Sequence, residues 1–285
     1  MRVSSKRSAK SPPPAPEPLT PLVDAHTHLD ACGATDAAGG TDGVRAIMDR
    51  AAAVGVQAAV TIADDLESAR WVTRAADADD RVYAAVALHP TRANALDEAA
   101  RTELEALAAH PRVVAIGETG LDLYWPGRLA GCADPDTQRE AFAWHIDLAK
   151  RTGKPLMIHN RDADDAVLDV LAAEGAPETV IFHCFSSGPE MAHTCVDAGW
   201  ILSLSGTVSF KNARDLREAV PAIPREQLLV ETDAPFLTPH PYRGAPNEPY
   251  CLPYTVHALA ELLGESAAEL AQVTSRNARR VYGLS

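Results

Sequence analysis

The chain has 285 residues, 46% of them hydrophobic and 23% charged, with a formal net charge of −13. That composition suits a globular domain with a large core. It excludes an overall basic field that would draw nucleic acid by charge alone, and the sequence holds no apolar run near the ~20 residues needed to cross a bilayer. The five cysteines, Cys32, Cys132, Cys184, Cys195 and Cys251, are odd in number and form no CxxC pair, so free thiols in a reducing cytoplasm are expected and a thiolate zinc site is not.

Residues 1–20, MRVSSKRSAKSPPPAPEPLT, are basic and then proline-rich, without the apolar stretch of a signal peptide. They predict a disordered tail ahead of one domain over 21–285. From there, short apolar runs recur at Leu22–Ala25, Val56–Ile62, Val82–Leu88, Val113–Gly117, Pro155–Ile158, Thr179–Phe182, Trp200–Leu204 and Leu228–Val230. They are rich in Val, Ile and Leu and lack clean alternation, as strands buried on both faces of a parallel sheet do.

Helical patterns separate these runs. Thr41 or Asp42 can cap the first, which carries Val44, Ile47, Met48, Ala51 and Val54 on one face and ends near Gly55. Leu66–Ala78, Leu96–Ala109, Thr137–Thr152, Asp164–Glu174, Pro189–Ala198, Ala213–Val220 and Pro253–Leu263 follow, and Ser266–Tyr282 closes the chain. Eight strands alternating with helices in this length predict a single (β/α)₈ barrel, an α/β fold. A doubly wound open sheet is the alternative, but the sequence has neither a GxGxxG nor a P-loop pattern to support it.

Polar side chains gather where the strands end, the end at which barrel active sites form. The first strand runs into Asp24-Ala25-His26-Thr27-His28, and alternate residues of an extended segment point the same way, so His26 and His28 face one point. The fourth is followed directly by Glu118, a carboxylate that is costly to bury unless paired or metal-bound. His159 ends the fifth, His183 the sixth, and Glu231-Thr232-Asp233 the eighth. A lone histidine after a strand is ordinarily structural. Six metal-type side chains at the same end of five strands are not explained that way. Histidine and carboxylate without thiolate suit zinc, manganese or magnesium. Six ligands exceed one open tetrahedral site, and two ions sharing a carboxylate fit better, activating a water for displacement at phosphorus or carbonyl.

Between Pro21 and Leu284 the segments DAHTHLD, IGETGLD, QREAFAWHIDLAKRTGKPLMIHNRDA, HCFSS, LSLSGTVSF, LLVETDAPFLTP, YRGAPNEP and TSRNARRVYG occur in order. In these the chain resembles the TatD family of metal-dependent DNases, within the amidohydrolase superfamily. The resemblance implies a (β/α)₈ barrel and a phosphodiesterase acting on DNA or RNA, a 3′–5′ exonuclease, with two divalent ions, Mg²⁺ or Mn²⁺, and Zn²⁺ also compatible. It implies that His26, His28 and Asp233 hold one ion, His159 and His183 the other, with Glu118 bridging, and that Asp233 orients or deprotonates the attacking water. Catalysis therefore falls to Asp233 and Glu118.

The sequence departs from the family at Ala87-Leu88-His89-Pro90-Thr91, which lacks a glycine and a second histidine but keeps His89; at Ser187, where HCFSG reads HCFSSG; and at Ala245 and Pro246, where many relatives carry a basic residue. His89, Arg161 and Arg243 are candidate substrate contacts. A rim salt bridge is the plain alternative for each arginine, and Lys211 is a weaker candidate. Glu231 either steers a ligand histidine or forms a buried strand-end pair. Tyr124, Trp125 and Phe185 either stack on a base or pack as anchors.

A different hydrolase on the same site, such as a D-aminoacyl-tRNA deacylase, is the alternative activity, since the same activated water serves carbonyl or phosphorus. Many superfamily members with C–N substrates bridge their metals with a carbamylated lysine, and Glu118 stands at that position. A metal-binding protein without catalysis is a third reading, against which the intact ligand set weighs. The expected partner is nucleic acid as substrate, with no membrane and no obligate protein partner.

Overall fold

A computed structural model describes residues 10–35 and 39–284. Eight parallel strands pair in sequence order: β1 Leu22–Thr27, β2 Val56–Ile62, β3 Val82–Val86, β4 Val113–Asp122, β5 Leu156–Arg161, β6 Val180–Phe182, β7 Ile201–Leu204 and β8 Leu228–Val230. Helices lie between them: α1 Gly43–Ala52, α2 Leu66–Ala78, α3 Glu98–Ala108, α4 Pro135–Thr152, α5 Asp164–Glu174, α6 Pro189–Asp197, α7 Arg214–Ala219, α8 Leu252–Leu263 and α9 Ala267–Tyr282. This is the predicted (β/α)₈ barrel.

Two apolar layers hold it. Inward-facing Val23, Ala58, Val60, Ala85, Met157, Ile181 and Leu229 fill the barrel, joined by Val281 and Tyr282 of α9, whose hydroxyl donates to the Ala25 carbonyl at 3.0 Å. The outward strand residues pack with the helices in the larger layer, among them Leu22, Val56, Val82, Ile116, Phe142, Phe182 and Val256. Both faces of the sheet are therefore dry, which is why the strands read as continuous apolar runs.

The end of β1 is stitched to the segment after β8 by Asp233 N–H to the His26 carbonyl at 3.0 Å and His28 N–H to the Ala234 carbonyl at 2.8 Å. Asp24 completes the seam. Its carboxylate accepts from the Thr232 backbone N–H at 2.9 Å and from the Thr232 hydroxyl at 2.6 Å.

Helix starts differ from the sequence reading where an aspartate caps earlier or later than the apolar pattern suggests. α3 starts after Asp97, which accepts from Ala100 N–H, and the preceding Pro90–Ala95 forms a 3₁₀ turn. α4 starts at Pro135, two residues before Thr137, because Asp134 accepts from Asp136 and Thr137 N–H groups. At α1 the Asp42 side chain makes no capping bond.

The disordered tail expected over residues 1–20 is corrected from Lys10 onward; residues 1–9 lie outside the described part, as does Ser285. Pro13, Pro16 and Leu19 are buried. Tyr250 Oη donates to the Pro13 carbonyl at 2.7 Å, Tyr254 Oη to the Pro14 carbonyl at 3.0 Å, and Leu19 N–H to the Val54 carbonyl at 2.9 Å. Prolines lack a donor but keep a strong acceptor, and two tyrosines of the 250–254 segment supply the donors. Among the described residues, no helix is long and apolar enough to cross a membrane.

Candidate metal centre

At the C-terminal end of the strands opens a cavity of about 610 Å³. His26 is fully buried beneath it, and the other five candidate ligands, His28, Glu118, His159, His183 and Asp233, line it. His26 and His28 project from the end of β1 with their Nε2 atoms 3.3 Å apart. Asp233 Oδ1 lies 3.6 Å from the first and 3.7 Å from the second. Glu118 Oε1 lies 3.9 and 3.6 Å from the same two nitrogens. The other carboxylate oxygen, Oε2, faces His159 Nδ1 at 3.4 Å and His183 Nε2 at 2.5 Å, and those two nitrogens are 3.4 Å apart. Glu118 thus stands between two groups of donors, one oxygen toward each.

Local backbone makes this approach feasible. A Cβ on Gly117 would lie 2.4 Å from Met157 Cβ, and one on Gly120, whose φ is +134°, would lie 2.2 Å from the His159 carbonyl oxygen. Glycine at both positions lets β4 press against β5 and carry Glu118 to His159. Asp233 and Cys184 hold left-handed φ values of +51° and +43° next to the donors, conformations that non-glycine residues adopt at a cost the surrounding bonds must offset.

The electrostatics follow from burial and mutual charge. Burial by itself would raise the Glu118 carboxyl, but His183, His159 and His26 outweigh it and hold it well below its ordinary range. Burial would lower His28, yet Asp233, Asp64 and Glu118 lift it to about 10. Burial would likewise lower His183, and Glu118 and Glu231 instead raise it well above the usual value. For His159, Asp122 and Glu118 overcome burial and raise it. His26 stays neutral, driven well down by burial and by the neighbouring His183.

The donors fit metal ions. Ligand atoms about 2.1 Å from one ion at tetrahedral or octahedral angles stand roughly 3–3.5 Å from each other, close to the spacing within each group. Glu118 Oε2 is buried and, despite the 2.5 Å approach of His183, accepts no well-directed hydrogen bond among the described residues. A buried carboxylate oxygen without a directed donor is a group that a cation would satisfy. His26–His28–Glu118 and His89–Glu118–His159 both offer ligand atoms in mutual reach.

The outer contacts sort the remaining candidates. Glu231 Oε1 accepts from Cys184 N–H at 2.8 Å and lies 3.4 Å from His183 Nδ1, so it touches both a candidate ligand histidine and the turn that follows it. His89 Nδ1 accepts from Thr91 N–H at 3.2 Å, and burial beside His159 lowers its pKa to about 3. The ring is therefore neutral with its proton on Nε2. Arg161 lines the cavity with its guanidinium over the rings of Tyr124 at 4.1 Å and Trp125 at 5.5 Å. Tyr124 and Trp125 serve as its platform, held by N–H bonds to Asp122 Oδ1 at 3.0 Å. Phe185 is buried in the outer core. Arg243 does not line this cavity; it stacks over Phe210 at 4.4 Å and bonds Asn212 Oδ1 at 3.2 Å.

Three contributors escape the sequence reading. Asp122 Oδ2 lies 3.0 Å from His159 Nε2, turning Nδ1 toward Glu118. It is signalled by alternation, since residues 118, 120 and 122 share a strand face, but the reading ended that strand at Gly117 whereas β4 runs to Asp122. Asp64, two residues past β2, lies 3.8 Å from His28 Nδ1. Phe236 is 55% exposed at the cavity, its ring edge-on to His28 with centroids 6.0 Å apart; nothing in the sequence marks it.

Comparison with known proteins agrees with this picture. The family described as TatD related DNase matches residues 23–283. The chain is 75% identical to the "Uncharacterized metal-dependent hydrolase TatD" of Mycobacterium tuberculosis, over 92% of this chain and 98% of that one. It is 32% identical to the "3'-5' ssDNA/RNA exonuclease TatD" of Escherichia fergusonii, over 84% and 92%. The crystal structure of YJJV, a TatD homologue from Escherichia coli k12, superposes with a TM-score of 0.81 at 28% identity, covering 93% of this chain and 98% of that one.

Proposed function

Because the chain belongs to the TatD family of metal-dependent hydrolases, we propose that it is a divalent-metal-dependent phosphodiesterase that trims single-stranded DNA or RNA from the 3′ end. The observation that carries this reading is the placement of Glu118 between two donor groups, His26–His28–Asp233 on one side and His159–His183 on the other. Mg²⁺ or Mn²⁺ suits the histidine–carboxylate set, and Zn²⁺ is compatible with it. When bound, two such ions lower the pKa of a water and neutralise charge on a phosphate.

The chain's own groups supply the rest. Asp233 keeps one oxygen among the histidine nitrogens, and its carboxylate is the group placed to accept the proton of the attacking water. His89 offers a neutral N–H to an oxygen of the phosphate, and because burial keeps it neutral it does not repel bound cations. Arg161, fixed on its aromatic platform, can meet a phosphate as a bidentate donor. Glu231 and Asp122 hold the rings of His183 and His159 in place. The five cysteines, all free thiols, support a reducing cytoplasmic setting.

End-labelled single- and double-stranded oligonucleotides incubated with Mg²⁺ or Mn²⁺ test the proposal. Stepwise shortening of the single strand from its 3′ end, abolished in Asp233→Asn, is the expected result. Intact oligonucleotides, or cleavage of aminoacyl-tRNA at its ester without loss of phosphodiester bonds, would overturn it.

A further inference from the structure

Beside the mouth lies a second cavity, of about 590 Å³, that the proposed chemistry does not use. The two are neighbours. Thr207 and Leu237 line the first, Ser209 and His240 the second, and Ser209 Oγ accepts the His240 N–H at 2.8 Å in the ridge between them. Leu237 and His240 are three positions apart, at most about 11 Å of chain.

Their charges are opposite. Asp64, Glu118, Asp122 and Asp233 line the first cavity, with Arg92 and Arg161 as its cations. The lining of the second carries two cations, Lys211 and Arg217, against one carboxylate, Glu261, with His240 and His257 beside them. Arg217 is half-buried and anchored by donating to the Val208 carbonyl at 2.7 Å. On a chain of net charge −13, a basic hollow next to the candidate active site offers a polyanion local attraction that the overall charge does not.

The N-terminal leader reaches the same region. Tyr254 lines the second cavity and bonds Pro14, while Lys10 Nζ donates to the Arg243 carbonyl at 2.5 Å. These leader residues precede the 23–283 segment that matches the family.

We propose that the second cavity is a phosphate subsite for a single-stranded polynucleotide leaving the catalytic mouth, and that the leader forms its outer wall and adds a cation through Lys10. The inference rests on the phosphodiesterase reading. Each backbone phosphodiester carries one negative charge. The scissile one meets the metal centre, and a neighbouring one along the strand needs a cationic contact of its own, which Lys211 and Arg217 provide.

Anisotropy of a fluorescent single-stranded 20-mer, in EDTA at several salt concentrations, reads this without turnover. Lys211→Glu changes an exposed residue outside the first cavity. It should weaken binding about tenfold at low salt, and a lost phosphate contact should flatten the log–log salt slope by about 0.7. Deleting residues 1–15 should weaken binding in the same direction. With Mn²⁺, Lys211→Glu should raise KM for the 20-mer severalfold more than KM for a trinucleotide, which is too short to reach the second cavity. Wild-type binding by Lys211→Glu overturns the subsite, and wild-type binding by the deletion overturns the leader's part in it. Weakened binding in a protein that cleaves neither oligonucleotide supports the subsite and defeats the phosphodiesterase reading, which separates the two failures.

Discussion

Glu118 is the residue on which the site's electrostatics turn, because His183, His159 and His26, all within 4 Å, hold its carboxylate ionised inside a dry barrel. The same couplings load protons onto the site before metal arrives. Asp233, Asp64 and Glu118 raise His28 to about 10, and Glu118 and Glu231 raise His183 well above its usual value, so both rings favour the protonated form in the metal-free protein. A cation needs their lone pairs, so binding must expel those protons and affinity must rise with pH. Titration calorimetry of Mn²⁺ in two buffers of different ionisation enthalpy should show at least about one proton released per chain at pH 7; identical heats in both buffers would contradict the account. Asp122→Asn keeps the size of the side chain but removes the charge that orients His159. Metal affinity or activity should fall about 10–100-fold with the far-ultraviolet circular dichroism unchanged, and near wild-type affinity would show that His159 needs no such partner. The six candidate ligands were legible in the sequence because each follows an apolar strand at the end where barrel sites form. Asp64 and Phe236 were not, since a loop residue's direction is set by tertiary packing that no short-range pattern encodes.

At the scale of elements, two glycines decide whether β4 can deliver its carboxylate. Those glycines also hid the strand's true length, because a Gly-Glu-Thr-Gly run reads as a turn rather than as the continuation of Val113–Ile116. Gly120→Ala would place a methyl group 2.2 Å from the His159 carbonyl at a φ of +134°. It should destabilise the protein by about 2–4 kcal/mol, measured by urea denaturation, and reduce metal binding with it. Unchanged stability and metal affinity would mean that β4 and β5 part without consequence. Gly153, whose φ of +66° ends α4 with open space around its Cβ position, is the matched control; Gly153→Ala should cost about 1 kcal/mol and leave metal binding alone. Strand positions were readable because both sheet faces are buried. Helix starts were less so, since at α3 and α4 an aspartate side chain, not the apolar period, sets the first turn.

For the whole molecule, the barrel seam joins β1 to the segment after β8 through Asp24–Thr232 and the backbone bonds of His26 and His28, so the first donor group straddles the chain's closure. Metal binding there should stabilise the entire fold. At a hundredfold excess over its dissociation constant a ligand adds about 2.7 kcal/mol, which for a domain of this size raises Tm by about 5–10 °C. Calorimetry with Mn²⁺ against EDTA checks this, and equal Tm values would contradict it. The leader is the part of the molecule that composition misjudged. Proline-rich, apolar-poor sequence predicts disorder on its own, but the partners of residues 13 and 14 lie more than 230 positions away, at Tyr250 and Tyr254, and pairing at that separation leaves no local signature. What most directly tests the account is electron paramagnetic resonance of the protein loaded with Mn²⁺, in wild type and in Glu118→Gln. Two ions per chain with the spectrum of an exchange-coupled pair are expected, with loss of that coupling and of at least about a hundredfold of any hydrolytic rate in the variant. A single ion per chain, or two ions whose spectra are independent and unaltered by Glu118→Gln, would contradict it.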